Sequence, residues 1–520
     1  MLVTPHSTAS GARPLTIVHA ASEVLGFAKT GGLADVVGAL PRALAQRGHP
    51  VAVVLPLYRG VRAGPHRLKP TNVVFTAPVG ARTLPGRLWA ATLPDSDVPV
   101  YLVEQPDLFE RDDPAAGRGL YQYTTPDGRR HDYADNAERF IFFGRAVLEA
   151  LPLLDAPFDI LHCNDWQTAL MPVYLRELYG RQSHLNARAY AHLRTLLTIH
   201  NIAYQGLFPA TAMALTGLHQ RLFNYRQLEF YGHLNFLKAG CVFADAINTV
   251  SPRYAEEVQT MVFGCGLEGV LTERHAVLTG IVNGVDYAVW DPATDPHLAA
   301  NYDADTAFDR KPACKLELQA QYGLPARPEV PLLGLVARLV EQKGVSLVIQ
   351  SAHELLSHDI QLVILGEGDP NVHRQLTQVR AHYPQKVGLK LGFDEALAHR
   401  VEAGADMFLM PSQFEPMGLN QLYSLRYGTV PVVRAVGGLY DTITDTTPET
   451  LAAGTANGFR FGPYTATAFQ QAVHRALACY LYQPDAWRRV VRTGMRQDWS
   501  WGHSAAEYER LYERILARGR

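Results

Sequence analysis

The segment "GLVARLVEQKG" sets two cations, Arg338 and Lys343, just beyond an apolar run, and "SQFEPMGLNQL" carries Glu415 ahead of a helix start at Gly418. A guanidinium grips phosphate through two parallel donors, and a lysine adds a compact point charge. Far upstream, "AKTGGLADVVGALPRAL" puts Lys29 before Gly31 and Gly32, after which Leu33, Val37, Leu40 and Leu44 recur at helical spacing. Glycines let backbone N–H groups approach a ligand closely, and a helix start favours negative charge. The turn fits neither G-x-G-x-x-G nor the Walker pattern. A second glycine pair, Gly437-Gly438, follows "PVVRAV". This inventory suits a diphosphate leaving group. No acidic cluster in the sequence is suited to Mg²⁺, so cations and backbone amides take that role, and no metal or prosthetic group is expected.

Other polar residues gather in "HCNDWQTAL" (His162, Asn164, Asp165, Trp166, Gln167) and "TIHNIAYQG" (His200, Asn201, Tyr204, Gln205). Each has a plainer reading. His162 or His200 alone reads as a hydrogen-bonded structural histidine, Asp165 as a helix N-cap, and Glu415 as a loop carboxylate in water. Lys29, Arg338 and Lys343 alone read as solvated surface charges. What favours chemistry is that all of them fall at strand ends, where open α/β sheets bind ligands.

The elements that must position these residues follow one rhythm of apolar strand, polar loop and helix. Strands are expected at 15–21, 51–58, 98–105, 158–165, 194–201 and 244–251, then at 331–339, 360–369, 387–393, 406–412 and 428–438. Near-continuous apolar runs of this kind are parallel strands buried on both faces. The chain therefore reads as α/β, with two doubly wound domains. Their join falls between Gly280 and Pro331, in a stretch rich in turn residues. Pro41 is expected to kink or restart its helix rather than end it. The closing "SAAEYERLYERILARG" reads as an amphipathic helix with Ser504 as N-cap, packing back across the junction.

Composition narrows the class of partner. A formal charge of −2 gives no reason to expect nucleic acid or an anionic membrane. The five cysteines (Cys163, Cys241, Cys265, Cys314, Cys479) are scattered without C-x-x-C spacing, which fits a reducing cytoplasm rather than a disulfide framework. The first dozen residues hold no apolar leader core, and no run is long enough to span a bilayer.

With these residues in place the chain resembles bacterial glycogen synthases and plant starch synthases, one family of glycosyltransferases. "KTGGLADVVGALP", "HCNDWQTAL", "TIHNIAYQG", "INTVSPRYAEE", "GIVNGVDYAVWDP", "ARLVEQKG", "LGEGDP", "DMFLMPSQFEPMGLNQLYSLRYGTVPVV" and "GMRQDWSWGHSAAEY" fall in the family's order, from about Leu15 to Tyr508. The resemblance implies a GT-B fold, two Rossmann-like domains facing across a cleft that can close. It divides the chain into an N-terminal catalytic domain (14–280), an interdomain region (281–330), a donor domain (331–495) and a C-terminal helix (496–520). It further implies transfer of glucose from ADP-glucose to the non-reducing end of an α-1,4-glucan such as glycogen, with retention of configuration.

Carried over by position, the resemblance assigns Arg338 and Lys343 to the diphosphate, His200 to a place beside the transferred glucose, and Glu415 to the donor glucose. Asp135 in "YADNAERF" matches an aspartate near the acceptor, and Phe393 in "LGFDEA" an aromatic that stacks on adenine. Lys29, Gly31, Gly32, Asn201, Gly418, Leu419, Gly437 and Gly438 complete the donor-binding set. The sequence departs from the family pattern at Met417 (usually cysteine), Val436 (threonine), Gln413 (arginine), Ala337 (serine) and Phe393 (tyrosine). Two other readings stand beside this one: a related transferase using UDP-glucose, and an inactive glucan- or nucleotide-sugar-binding protein. Retention of Lys29, His200, Arg338, Lys343 and Glu415 argues against the second.

Overall fold

The computed structural model describes residues 13–111, 120–125, 129–154 and 156–518. The N-terminal dozen, read above for a leader, lie outside that range. The chain divides into two compact units. One holds the chain up to Val250, Ala255–Ile281 and the segment from Trp501 onward; the other holds Ser251–Tyr254 and Val282–Ser500.

The first unit is built on a nine-stranded sheet. In chain order its strands are β1 (Ile17–Ala20), β2 (Val51–Pro56), β3 (Lys69–Val79), β4 (Arg82–Thr92), β5 (Pro99–Glu104), β6 (Ile160–Asn164), β7 (Arg194–Ile199), β8 (Ala246–Thr249) and β9 (Leu278–Gly280). They lie in the order β9-β8-β7-β6-β1-β2-β5-β4-β3. All pairings from β9 to β5 are parallel, and β4 runs antiparallel to both β3 and β5. Strands β1, β2 and β6 are buried along their whole length, as apolar runs covered on both faces must be. The β3–β4 hairpin departs from the expected strand set. It alternates buried and exposed positions and turns at Gly80, whose φ is +58°.

Helix Gly32–Gln46 runs unbroken through Pro41, neither ending nor restarting there. The final helix spans Trp501–Ala517, so Ser504 lies inside it and is buried; it is not the N-cap. The helix begins four residues earlier than that cap implies, at the buried Trp501, after a turn in which Asp498 accepts from the Ser500 N–H. As expected, this helix returns to the N-terminal unit. Tyr512 OH meets His162 Nδ1 at 2.8 Å, Asn248 donates to Tyr508 OH at 2.8 Å, and Glu509 pairs with Arg47. Both tyrosine rings are fully buried.

The second unit holds a six-stranded, wholly parallel sheet: β10 (Leu332–Val336), β11 (Gln361–Gly366), β12 (Val387–Leu391), β13 (Met407–Met410), β14 (Val430–Arg434) and β15 (Phe459–Phe461). Its order is β12-β11-β10-β13-β14-β15, with strand order reversing at β10. Leu333, Leu335, Ile364, Met407, Leu409 and Val432 form the centre of its core, each worth about 1.5–3 kcal/mol of burial.

The stretch 281–330 is not a separate connector. It carries helix Ala307–Gln321, and Trp290 lies flat between His399 (ring centroids 3.8 Å apart) and Tyr423 (3.9 Å). Buried Asp295 receives His399 Nδ1 at 2.7 Å and Tyr427 OH at 2.6 Å. Turn-rich composition marked a boundary, but from Val282 onward these long-range contacts make the stretch part of the second unit. No helix among the described residues is long and apolar enough to cross a membrane.

Candidate active site

In the second unit three loops leave the carboxyl ends of the adjacent strands β10, β13 and β14. The loop after β10 closes in a tight turn, Glu341–Lys343, and Gly344 follows with φ +68°. A Cβ at Gly344 would meet the Pro411 carbonyl at 1.9 Å, so only glycine lets this loop reach the one after β13. The loops are cross-tied by Gln413 N–H to the Gln342 carbonyl (2.8 Å) and Gln342 Nε2 to the Phe414 carbonyl (3.3 Å). The result is an ion pair, Lys343 Nζ to Glu415 Oε2 at 2.5 Å, with Ser412 Oγ donating to the same oxygen at 3.1 Å. Glu415 is buried and Lys343 half-buried. Arg338 is exposed, and its guanidinium makes no hydrogen bond or ion pair among the described residues. The loop after β10 thus carries both a cation fixed by the neighbouring loop and a free one, an arrangement that can receive an anion.

Gly437 and Gly438 do something other than expected. At Gly437 (φ +43°) a Cβ would meet the Glu415 carbonyl at 1.9 Å, and at Gly438 one would meet the Met417 carbonyl at 2.2 Å. The Gly438 N–H is shared by the Glu415 and Pro416 carbonyls, at 3.3 and 3.2 Å. Gly438 is therefore not a free amide donor, and the pair serves as the packing seat of the Glu415 turn. The available donors are one loop away, at Gly418 (φ +71°) and Leu419, whose N–H groups have no acceptor among the described residues. Met417 and Val436 are both buried beneath this turn, so these departures change packing rather than an exposed contact surface.

Phe393 lies apart from the three loops, beyond the end of edge strand β12, two strands from β10. Its ring is 81% exposed and follows Gly392, whose φ of +127° turns the chain there. An aromatic face held this open has surface to offer a flat ligand.

In the first unit the Lys29–Gly32 turn is held from beneath by a residue the sequence did not single out. Buried Glu23 accepts from Thr30 Oγ1 (2.6 Å), Gly31 N–H (3.2 Å) and Tyr121 OH (2.8 Å). The Gly31 amide, read as an anion donor, is thus already taken. The amides of Gly32 and Leu33 in the first helical turn have no acceptor among the described residues, and a Cβ on Gly31 or Gly32 would have nothing described within 4 Å. Lys29 pairs with Asp35 at 2.6 Å on the surface.

His200 follows β7. Burial pushes its pKa down to about 3, so the ring is neutral. Its Nε2 lies 2.9 Å from Asn164 Oδ1, while Asn164 Nδ2 donates to the Ala20 carbonyl at 3.1 Å. That contact fixes the amide's orientation, so Nε2 carries the proton and Nδ1 keeps a lone pair. Neutral His200 is therefore an acceptor for a hydroxyl rather than a charge. Asp165 is not a side-chain N-cap. It sits at φ +55° and its carboxylate receives the His200 N–H at 2.8 Å, setting the loop on which His200 and Asn201 stand. Burial raises its pKa to about 7.

His162 turns out to be structural, bonded to Tyr512 and to Thr198 Oγ1 (2.6 Å). Trp166 packs against Phe140 and Phe236, and Gln205 bonds Cys265 O and Asn235. Asp135 occupies the N-cap position of helix Asn136–Ala150 without a side-chain cap bond, and it pairs with Arg111.

The fold and these loops define a glycosyltransferase of the GT-B class. Residues 16–273 match the family described as "Starch synthase catalytic domain", and residues 321–491 match "Glycosyl transferases group 1". A glycogen synthase of Rhodopirellula baltica is 44% identical over 517 residues, covering 97% of this chain and 99% of that one. One from an Anaeromyxobacter species is 47% identical over 503 residues, covering 97% and 100%. The catalytic domain of starch synthase IV from Arabidopsis thaliana, solved with ADP and acarbose, superposes with TM-score 0.85 at 33% identity, over 97% of this chain and 100% of that one. The chain belongs to the glycogen and starch synthase family.

Proposed function

We propose that the protein elongates glycogen in the cytoplasm, transferring glucose from ADP-glucose to the non-reducing end of an α-1,4-glucan with retention of configuration. The observation that carries this reading is the Lys343–Glu415 ion pair that ties the loop after β10 to the loop after β13, with the exposed Arg338 on the first of those loops. The relative solved with ADP and acarbose supports a nucleotide diphosphate donor and a glucan-like acceptor. Arg338, Lys343 and the amides of Gly418 and Leu419 hold the diphosphate. Neutral His200 accepts from a sugar hydroxyl, and Asp135 serves the acceptor side.

The acceptor's 4-hydroxyl attacks C1 on the face the diphosphate is leaving. The new C1–O4 bond forms as the C1–O phosphate bond breaks, and the departing phosphate oxygen takes the hydroxyl proton. Negative charge grows on the diphosphate along this path, and the cations stabilise it there. Labelled glucose incorporation into glycogen from ADP-glucose and from UDP-glucose tests the reading directly; no incorporation from either donor would end it.

The same assay with EDTA is expected to give unchanged kcat, because side-chain cations and backbone amides take the place of Mg²⁺. Complete loss restored by Mg²⁺ would overturn that. Phe393→Ala is expected to raise KM for ADP-glucose by about two- to tenfold, the ~0.5–1.5 kcal/mol of an aromatic stack, with kcat little changed. Equal use of UDP-glucose by the parent, or an unaltered KM in the variant, would remove the ring from donor recognition.

A further inference from the structure

Away from the three loops, on the outer face of the second unit, helix Val345–Leu355 lies against helix Ala466–Tyr482. Glu354 sits in the last turn of the first helix, His358 in the turn that follows, and His474 on the second helix. One carboxylate oxygen and two ring nitrogens from these residues all lie within 4.8 Å of one another. His474 Nε2 is 2.8 Å from Glu354 Oε1, and His358 Nε2 is 3.4 Å from it. Among the described residues His474 Nε2 nevertheless has no hydrogen-bond partner, and neither has the buried Glu354 Oε2.

From this cluster we propose a divalent transition-metal site of the zinc class, held by Glu354, His358 and His474. Ligand atoms around tetrahedral zinc, with bonds of roughly 2.0–2.1 Å, sit roughly 3.3 Å apart, within the range seen here. Two imidazoles and one carboxylate suit Zn²⁺ or Co²⁺; Mg²⁺ and Ca²⁺ prefer all-oxygen sets. Three protein ligands leave a fourth position for water. The side chains of Glu354, His358 and His474 keep 38%, 50% and 41% of their exposure, so an ion reaches them from solvent. Glu354 Oε1 stands between the two ring nitrogens, and a shared cation would satisfy the His474 Nε2 that makes no hydrogen bond among the described residues.

The site is a clamp between two helices and takes no part in glucosyl transfer. It does fasten the helix that begins at Val345, immediately after Lys343 and Gly344.

The test uses full-length protein stripped with chelator and titrated with Zn²⁺ by calorimetry, and with Co²⁺ followed by visible absorption. The parent is expected to bind one equivalent at least about tenfold more tightly than Glu354→Gln, His358→Ala or His474→Ala. It should also show a tetrahedral Co²⁺ band that each variant loses and a Tm that rises saturably with Zn²⁺. His474→Ala should keep parental kcat. If His474→Ala folds poorly in chelator, His358→Ala, lying beyond the helix end, carries the comparison. Variants that titrate with the parent's affinity and stoichiometry would overturn the site, the cluster then being an ordinary histidine–carboxylate contact.

Discussion

Arg338→Ala is expected to lower kcat by about 10²–10³, the usual cost of losing one preorganised donor to a transition-state anion. Thermal stability should change by no more than ~0.5 kcal/mol, as for an exposed side chain without partners. The structure gives both halves of this expectation a basis. The backbone on either side is fixed: Ala337 donates to Leu365, Leu339 donates to Glu367, and the Leu339 side chain is fully buried. The guanidinium itself is exposed and unpaired, so it is placed by a rigid strand end yet owes nothing to the folded core. Charge develops on the diphosphate as the glycosidic bond breaks, so the loss should fall on kcat more than on donor KM. Arg338→Lys should recover little, because a point charge does not reproduce a two-donor fork. Steady-state kinetics on ADP-glucose beside a thermal melt would decide it. A folded Arg338→Ala protein with near-parental kcat would strike this residue from the catalytic assignment.

How far the sequence disclosed this site depends on the distance over which each residue acts. Parallel strands were legible because burial on both faces leaves an apolar run, and polar residues at their ends then mark the ligand side. The β3–β4 hairpin was not picked out. Its outer face is polar and Pro70, Pro78 and Pro85 interrupt it, yet its alternation and the Gly80 turn were available as signals. Glu23 and Asp165 were missed or misassigned for another reason. Each acts through backbone amides of a loop that local pattern does not connect to it, and Glu23 also binds Tyr121 across 98 positions. Arg434 belongs with them: it donates to the Gln413 carbonyl and so steadies the segment ahead of Glu415. Gly437 and Gly438 were legible as glycines that matter. Whether a glycine frees an amide or admits a neighbouring backbone is decided only by what packs against it.

Lys343→Ala, in contrast to Arg338→Ala, is expected to damage both turnover and folding. A sequence reading treats the two cations alike, as side chains waiting for an anion and contributing little to the apo protein. The structure separates them. Lys343 already holds Glu415 at 2.5 Å, with side-chain exposures of 20% and 6%, and among the described residues only Ser412 Oγ shares the carboxylate. Removing the ammonium leaves a buried carboxylate short of its main partner, a loss of about 1–3 kcal/mol. Turnover should fall by about 10²–10³ as well, since the same ammonium has two further N–H donors for the diphosphate. The two effects can be pulled apart. In Lys343→Ala/Glu415→Gln the uncompensated charge is gone, so stability should return toward the parent while kcat stays low, a non-additivity expected of groups in contact. Melting curves and kcat for the two single variants and the double variant complete the cycle. Parental melting in Lys343→Ala would show that the pair contributes nothing to the fold, and parental kcat would leave Arg338 as the cation that answers the leaving group.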